Sequence, residues 1–295
     1  FRSTFLRLTG GGTACTVTLA PNTLSHTWIM RNETAAALTL TQGSGANVVI
    51  AAGQTKIVAT DGAGSGAIVY EMDDLELAGN LAVGGELSTP SAGTSNVRIG
   101  VNAGNSIASG GNYNVVVGDE AGTALTTGDN NVAIGFEALK TNATSAQNTA
   151  VGHTALKLNT AANNTAFGYA ALTANSTGTY NVALGRSAGA SVTEGDQNTL
   201  IGGQAGDALT TSNNNLAIGY KALSADTAGT KTTAIGFEAL MSQNFTTNTD
   251  SFNVAVGYTA GREITTGQFN NLIGGLAGDA LTVGTRNVAH GHSSL

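Results

Sequence analysis

The chain has 295 residues, a net charge of -7 and 41 glycines against two prolines, with only 5% aromatic and 11% charged residues. The acidic balance without a basic cluster argues against nucleic acid as a partner. The single cysteine, Cys15, excludes an internal disulfide. No apolar run approaches the roughly 20 residues that cross a bilayer, so we expect no membrane insertion. So few bulky side chains favour thin stacked repeats over one thick core.

The first segment, residues 1–72, has no internal period but contains six or seven strand-like runs separated by turn residues: FLRL, TACTVTLA, HTWIMRN, AALTLT, ANVVIAA, TKIVAT and GAIVYEM. This spacing predicts a small β-sandwich. Phe1 is not an initiator methionine, and we expect further residues upstream.

Residues 73–93 form a predicted neck. Its sequence LELAGNLAVGGEL, from Leu75 to Leu87, resembles the short connectors of bacteriophage fibres, in which one strand from each of three chains wraps a common axis. The resemblance implies a triple-stranded connector between the first segment and the repeats.

Residues 94–295 repeat one motif: Asn, a variable residue, a small residue, a large apolar residue, Gly, two variable residues, then Ala followed by Leu or Gly. Successive motif glycines are 18, 17, 17, 16, 17, 17, 17, 17, 21, 17 and 17 residues apart. Short runs such as VAIG, bounded by Asn and Gly, are typical of strands and turns. About twelve stacked 17-residue coils therefore predict an all-β shaft, a parallel β-roll or β-helix. The repeat positions that we expect to stack are Asn131, Gly135, Asn148, Gly152, Asn164, Gly168, Asn181, Gly185, Asn198, Gly202, Asn215 and Gly219.

Strand alternation divides each coil between two faces. We expect the large apolar residues, such as Ile134 and Val151, to lie inside with the residue two before each. We expect the intervening alanines, such as Ala133, and the motif glycines to face a neighbouring chain in a homotrimer. The leading asparagines should form a column whose amides hydrogen-bond along the axis or cap turns.

The motif N-x-A-[IV]-G is similar to the head repeats of trimeric autotransporter adhesins, and the longer unit with AL or AG resembles the repeat arrays of bacteriophage tail fibres. The resemblance implies a homotrimeric, left-handed β-roll used for adhesion. The order of module, neck and shaft favours a virion tail or side fibre that attaches to the host surface. Its expected partners are other tail proteins, through the N-terminal side, and a host glycan or protein. The alternatives are a bacterial surface adhesin and a polysaccharide-degrading phage spike.

Catalytic motifs are not evident in the sequence. No GxSxG elbow accompanies the four histidines, so we expect no enzyme and no cofactor. His290 and His292 admit two interpretations, a metal site assembled from several chains or a variant final coil, and we favour the second. The acids of GDEAG and AGDAL lack the calcium-binding nonapeptide and are interpreted as solvated turn residues.

One column could contact a ligand. The position after the motif glycine often holds an aromatic ring, and stacking places these rings in line. Exposed rings would stack on envelope sugars, whereas buried rings would fill an interface, and we favour burial. The predicted column is Phe136, His153, Tyr169, Tyr220, Phe237 and Tyr258, with Arg186 and His292 at equivalent positions.

Overall fold

The computed structural model describes residues 5–21, 23, 25–71 and 92–295. The chain divides into two compact units, Phe1–Gly84 and Gly85–Leu295. Apart from residues 92 and 93, the predicted neck lies outside the described residues. Each unit is all-β, and the only helical element described is a 3₁₀ turn at Gly64–Gly66.

The N-terminal unit consists of two small sheets around one core. One sheet has the order β1-β3-β6-β7 and the other β2-β4-β5, with parallel pairing of β1 with β3 and of β2 with β4. Met30, Leu40, Ile50 and Val58 are fully buried where the sheets meet, as a sandwich requires. The strands are β1 (Phe5–Leu8), β2 (Cys15–Thr18), β3 (Ser25–Asn32), β4 (Leu38–Thr41), β5 (Val48–Ile50), β6 (Thr55–Asp61) and β7 (Val69–Glu71), one in each predicted run.

The C-terminal unit is a parallel β-solenoid, which confirms the predicted repeat fold. Twelve three-residue strands pair in chain order into one parallel sheet, and β16 and β18 form a short side ladder. The strands are β8 (Val97–Ile99), β9 (Val115–Val117), β10 (Val132–Ile134), β11 (Thr149–Val151), β12 (Thr165–Phe167), β13 (Val182–Leu184), β14 (Thr199–Ile201), β15 (Leu216–Ile218), β16 (Gly229–Thr230), β17 (Thr233–Ile235), β18 (Thr249–Asp250), β19 (Val254–Val256), β20 (Asn271–Ile273) and β21 (Val288–His290).

Each motif glycine lies directly over the next. Ile134 pairs with Val151, and a Cβ built on Gly135 would lie 2.6 Å from the carbonyl oxygen of Gly152. The φ angle of Gly135 is +127°, a conformation that residues with a Cβ rarely adopt. Glycine is therefore required by the stacked backbone of this chain, and no neighbouring chain is needed to explain it.

The predicted assignment of the two strand faces was wrong. Ala133 and its equivalents are fully buried in the solenoid core, whereas Ile134, Phe167 and Leu184 are 37%, 52% and 46% exposed. Alternation in the sequence shows which residues share a face but not which face is the inner one.

The coil is thin, so where a leucine follows the motif alanine on the opposite wall, as at Leu139, only a small side chain fits on the inner face of the sheet. The larger Val116, Leu200 and Leu272 lie on that face in coils whose motif alanine is followed by glycine. The small residues therefore face this chain's own core, and a neighbouring chain does not pack against them.

The alternation of Ala-Leu with Ala-Gly coils reflects two ways of filling the same core. In an Ala-Leu coil the leucine is buried, as at Leu139, and a polar residue such as Asn142 follows three positions later. In an Ala-Gly coil the two positions exchange their residue types: the first holds glycine, as at Gly206, and the position three residues later holds a buried apolar side chain, as at Leu209. A Cβ on Gly206 would lie 2.8 Å from side-chain carbons of Leu200 and Leu209. Each coil therefore supplies a large side chain to the wall opposite the sheet from one of two positions, and some Ala-Gly coils add a second one, such as Leu200, from the sheet itself.

Candidate functional site

The motif glycine turns the chain out of the sheet, and the next side chain projects to the surface. We call this set the long column: Phe136, His153, Tyr169, Arg186, Tyr220, Phe237, Tyr258 and His292. Because each coil rises by about one strand spacing, these side chains lie one above another. The sequence thus places a regular series of rings along one edge of the solenoid.

The rings of the long column stack on one another. Ring centres are 5.1 Å apart for Phe136 and His153, and 5.2 Å apart for His153 and Tyr169. The guanidinium of Arg186 continues this stack 5.9 Å from the centre of the Tyr169 ring. Offset stacking and cation–π contacts at these distances are favourable.

A second stack follows farther along the column. The Tyr220, Phe237 and Tyr258 ring centres are 5.5 and 5.3 Å apart in succession. Their exposed fractions are 45%, 40% and 59%, so within a single chain the rings are open to a ligand or a partner. The expected burial therefore does not occur within one chain.

A second column was missed by the sequence analysis. The residue before each leading asparagine has a positive φ, and Lys231, Phe252, Phe269 and Arg286 follow one another there. The two phenylalanine rings lie 5.4 Å apart, with the Lys231 ammonium 5.2 Å from Phe252 and the Arg286 guanidinium 5.3 Å from Phe269. The signal was present in the sequence as bulky residues at one fixed repeat position, but variable residues elsewhere in that position obscured it.

The outer face of the twelve-stranded sheet carries two further columns, and we call it the apolar face. One column ends each strand and is almost entirely aliphatic or aromatic; the other begins each strand and mixes Val, Leu, Thr and Asn. The strand-end column is Ile99, Val117, Ile134, Val151, Phe167, Leu184, Ile201, Ile218, Ile235, Val256, Ile273 and His290. These residues are half-buried or exposed. Long exposed apolar surfaces of this kind are typical of interaction sites.

The leading asparagines form a buried polar column beside the sheet. The Oδ1 atom of Asn131 accepts the backbone N–H of Asn148 at 3.0 Å, and its Nδ2 donates to the carbonyl of Ser145 at 3.0 Å. At the 21-residue spacing Thr232 replaces asparagine, and the N–H of Asn253 instead donates to Ser251 Oγ at 3.2 Å. These amides satisfy buried backbone groups, so their role is structural.

Several charged side chains outside the columns form ion pairs on the surface. The Lys140 ammonium donates to the carboxylates of Glu120 and Glu137. These hydrogen bonds raise the pKa of Lys140 to about 12, and the one to Glu120 has the larger effect. Hydrogen bonds from Lys140 and Lys157 lower the pKa of the Glu137 carboxyl. The Glu120 carboxylate of GDEAG thus has a lysine partner, and nothing in this ladder has the form of a catalytic pair.

Among the described residues, the four histidines belong to no cluster of candidate metal ligands. In the part of the chain that is described, no group of three or more His, Cys, Asp or Glu side chains is placed to hold a metal ion. His290 ends the apolar face and His292 ends the long column, as a variant final coil predicts. Over the described ranges, no helix has the length and hydrophobicity of a transmembrane segment.

Comparisons with known proteins gave no match. No family model, no curated protein and no solved structure matches this chain. The columns and the apolar face are therefore the basis on which a function can be proposed.

Proposed function

We propose that this chain is a structural and adhesive fibre, a tail or side fibre of a bacteriophage virion, that attaches to the host-cell surface as a homotrimer. The observation that carries the proposal is the combination, on one solenoid, of an apolar face and exposed aromatic columns. Eleven coil steps at about 4.8 Å give the solenoid a length of about 53 Å. Each added coil lengthens the solenoid by one strand spacing, so an array of repeats forms an elongated rod, as a fibre requires.

The apolar face supports self-association. The solenoid core is complete without it, because Ala150, Leu156 and their equivalents already fill the interior. Yet branched side chains such as Ile201 and Ile218 continue along the outside of the sheet. Burying apolar surface stabilises by about 25 cal/mol per Å², so three chains with these faces toward a common axis would gain along the whole solenoid.

The aromatic columns support attachment to a carbohydrate surface. Tyr169, Tyr220 and Tyr258 combine an exposed ring face or edge with a polar tip, the usual composition of surfaces that bind sugars and other amphipathic ligands. Under this proposal the N-terminal unit joins the fibre to other tail proteins. The alternative assignments are a bacterial surface adhesin and a polysaccharide-degrading phage spike.

Retention on cells tests the attachment. Cys15 is exposed and is the only cysteine, so a maleimide dye can label the chain at one site. We expect labelled protein to be retained saturably by some strains of a bacterial panel and to be displaced by excess unlabelled protein. Failure to bind any strain, or release of reducing sugar ends from the envelope, would contradict the proposal, the second outcome in favour of an enzyme.

A further inference from the structure

The long column is interrupted twice, at Gly203 and Gly275. Both glycines belong to near-copied coils, LIGGQAGDALTT and LIGGLAGDALTV, in which a second glycine follows the motif glycine. Neither has a positive φ, so the backbone does not require glycine at either position. The missing side chain leaves a gap in the stack, bounded at the first interruption by Arg186 and Tyr220.

The backbone holds the first gap open at a fixed width. The N–H of Gln204 donates to the carbonyl of Arg186 at 2.9 Å, and the N–H of Lys221 donates to the carbonyl of Gly203 at 3.0 Å. The two walls are therefore two strand spacings apart, about 9.6 Å. A ring in van der Waals contact with both walls, at about 4.0–4.5 Å from each, needs about 8–9 Å. The gap has the width of one six-membered ring.

One wall of the gap is aromatic. Phe237 stacks on one face of Tyr220, with 5.5 Å between ring centres, which leaves the other face toward Gly203. A Cβ on Gly203 would lie 3.5 Å from Tyr220 Cδ2, and of the described atoms only Tyr220 ring carbons come within 4 Å of it. The space toward Arg186 is thus open.

The other wall is cationic. The guanidinium of Arg186 is exposed and stacks on Tyr169, and within the described part of the chain it has no ion-pair partner. The Lys221 ammonium lies over the Tyr220 ring, 5.5 Å from the ring centre. The partly exposed Asp207 carboxylate interacts with Lys221, and Glu238 in the next coil pairs with Arg262. With Glu238 paired to another cation, Arg186 and Lys221 outnumber the Asp207 carboxylate, which favours an anionic ligand.

We propose that the gap at Gly203 binds a carboxylated pyranose, a uronate-type unit of an acidic polysaccharide. Tyr220 stacks on the apolar face of the sugar ring, and Arg186 and Lys221 pair with its carboxylate. The inference deepens the proposed attachment function and rests on it. The gap at Gly275 lies between Tyr258 and His292. Its walls contain no Arg or Lys, so we do not expect it to select a carboxylated sugar.

Binding to defined oligosaccharides tests the site. The probes are oligogalacturonate, alginate, hyaluronan and polysialate oligomers, with neutral galacto-oligosaccharide for comparison, measured by calorimetry on the full chain. At least one acidic probe should bind about tenfold more tightly than the neutral one, since this difference corresponds to about 1.4 kcal/mol, no more than one charge-assisted hydrogen bond supplies. Binding should weaken as salt is raised.

Two matched variants locate the site. Gly203→Phe fills the gap with a ring at a position where other coils already hold Phe136 and Phe237, so it should fold with an unchanged circular dichroism spectrum. It should abolish binding of the acidic probe, whereas Gly275→Phe should leave binding unchanged. Binding by no acidic probe, equal binding of the neutral probe, or retained binding in Gly203→Phe would overturn the proposal.

The cell-retention assay separates this inference from the attachment function. If Gly203→Phe is retained on cells as well as the unmodified chain, attachment stands and the site is wrong. If the unmodified chain binds an acidic probe through the gap but is retained by no cell, the site stands and the attachment function is wrong.

Discussion

The Leu200 side chain fills the space in the solenoid core that a side chain at Gly206 would need, because a Cβ on Gly206 would lie 2.8 Å from Leu200 Cδ2. The backbone does not forbid a larger residue there. The φ angle of Gly206 is +55°, and Leu223 has the value +56° at the equivalent position of the next coil. The choice between glycine and leucine is therefore decided by the neighbouring side chains.

Gly206→Leu should destabilise the solenoid by about 1–3 kcal/mol through overpacking. The triple variant Leu200→Ala, Gly206→Leu, Leu209→Asn converts the coil to the Ala-Leu type and should recover most of that loss. Urea unfolding of both variants measures the difference. If the triple variant is less stable than Gly206→Leu alone, the two coil types do not fill the core in the way described.

Gly135→Ala should be strongly destabilising. The substitution forces a Cβ into a φ of +127° and toward the Gly152 carbonyl, and backbone strain alone costs about 1–3 kcal/mol. Gly275→Ala is the control, because its Cβ would meet only His292 Cδ2, at 3.5 Å, with no positive φ. Thermal unfolding should separate the two variants clearly, and equal melting temperatures would refute the stacked glycine column.

Asn131→Ala should cost about 1–3 kcal/mol, since it leaves the buried N–H of Asn148 without its acceptor. Asn105→Ala provides the comparison, because Asn105 is exposed and its amide makes only two long hydrogen bonds among the described residues, to Asn102 and from Ser106, each at 3.4 Å. Chemical denaturation should show a loss in the first variant only. A similar loss in both would indicate that the asparagine column contributes no more than a surface amide.

Asp226 should make stability depend on pH. Its Oδ1 accepts the N–H groups of Gly229 and Phe245 at 3.0 Å, and burial raises the pKa of its carboxyl. Stability from a raised pKa is fully present below the pKa of aspartate in the unfolded chain and is lost as pH rises through the folded-state pKa. The unmodified chain should therefore gain stability relative to Asp226→Asn as the pH falls toward the pKa of aspartate in the unfolded chain.

The comparison with Asp226→Asn is needed because other acids act in the opposite direction. The pKa values of Glu33, Glu137 and Asp250 are lowered, in each case chiefly by a hydrogen bond from a basic side chain. The donors are Arg7, Lys140 and Lys231, in that order. The stability that these carboxylates contribute to the folded chain is therefore lost as the pH falls. Melting temperatures measured for both proteins at each pH cancel these shared contributions. A difference that stays constant with pH would show that Asp226 titrates normally.

The sequence predicts the period, the strand positions and the parallel stacking, because these follow from spacing alone. It does not predict the direction of the faces, since the pattern around Ile134 and Ala133 is the same whichever side is the core. The deciding information is three-dimensional: in the Ala-Leu coils, Leu139 and its equivalents reach the interior from the opposite wall and leave room only for alanine on the sheet. The column at Phe252 and Phe269 was missed for a related reason, because a surface position shows no fixed residue type.

Because the inner and outer strand faces are the reverse of those predicted, the residues expected at a trimer interface change, while the trimer itself stays a prediction. Alanines such as Ala217 are fully buried within one chain and cannot meet a partner. Their strand neighbours Leu216 and Ile218 are only half-buried and lie on the apolar face. A trimer therefore has to form through the large apolar residues.

The mass of the chain in solution tests this account most directly. Sedimentation equilibrium should give three times the 29.3 kDa of one chain. Ile218→Asp places a charge on the apolar face and should shift the mass to that of the monomer, whereas Val283→Asp, at a 66% exposed residue off the sheet, should leave a trimer. A monomer in the unmodified chain, or a trimer that Ile218→Asp does not weaken, would contradict the account.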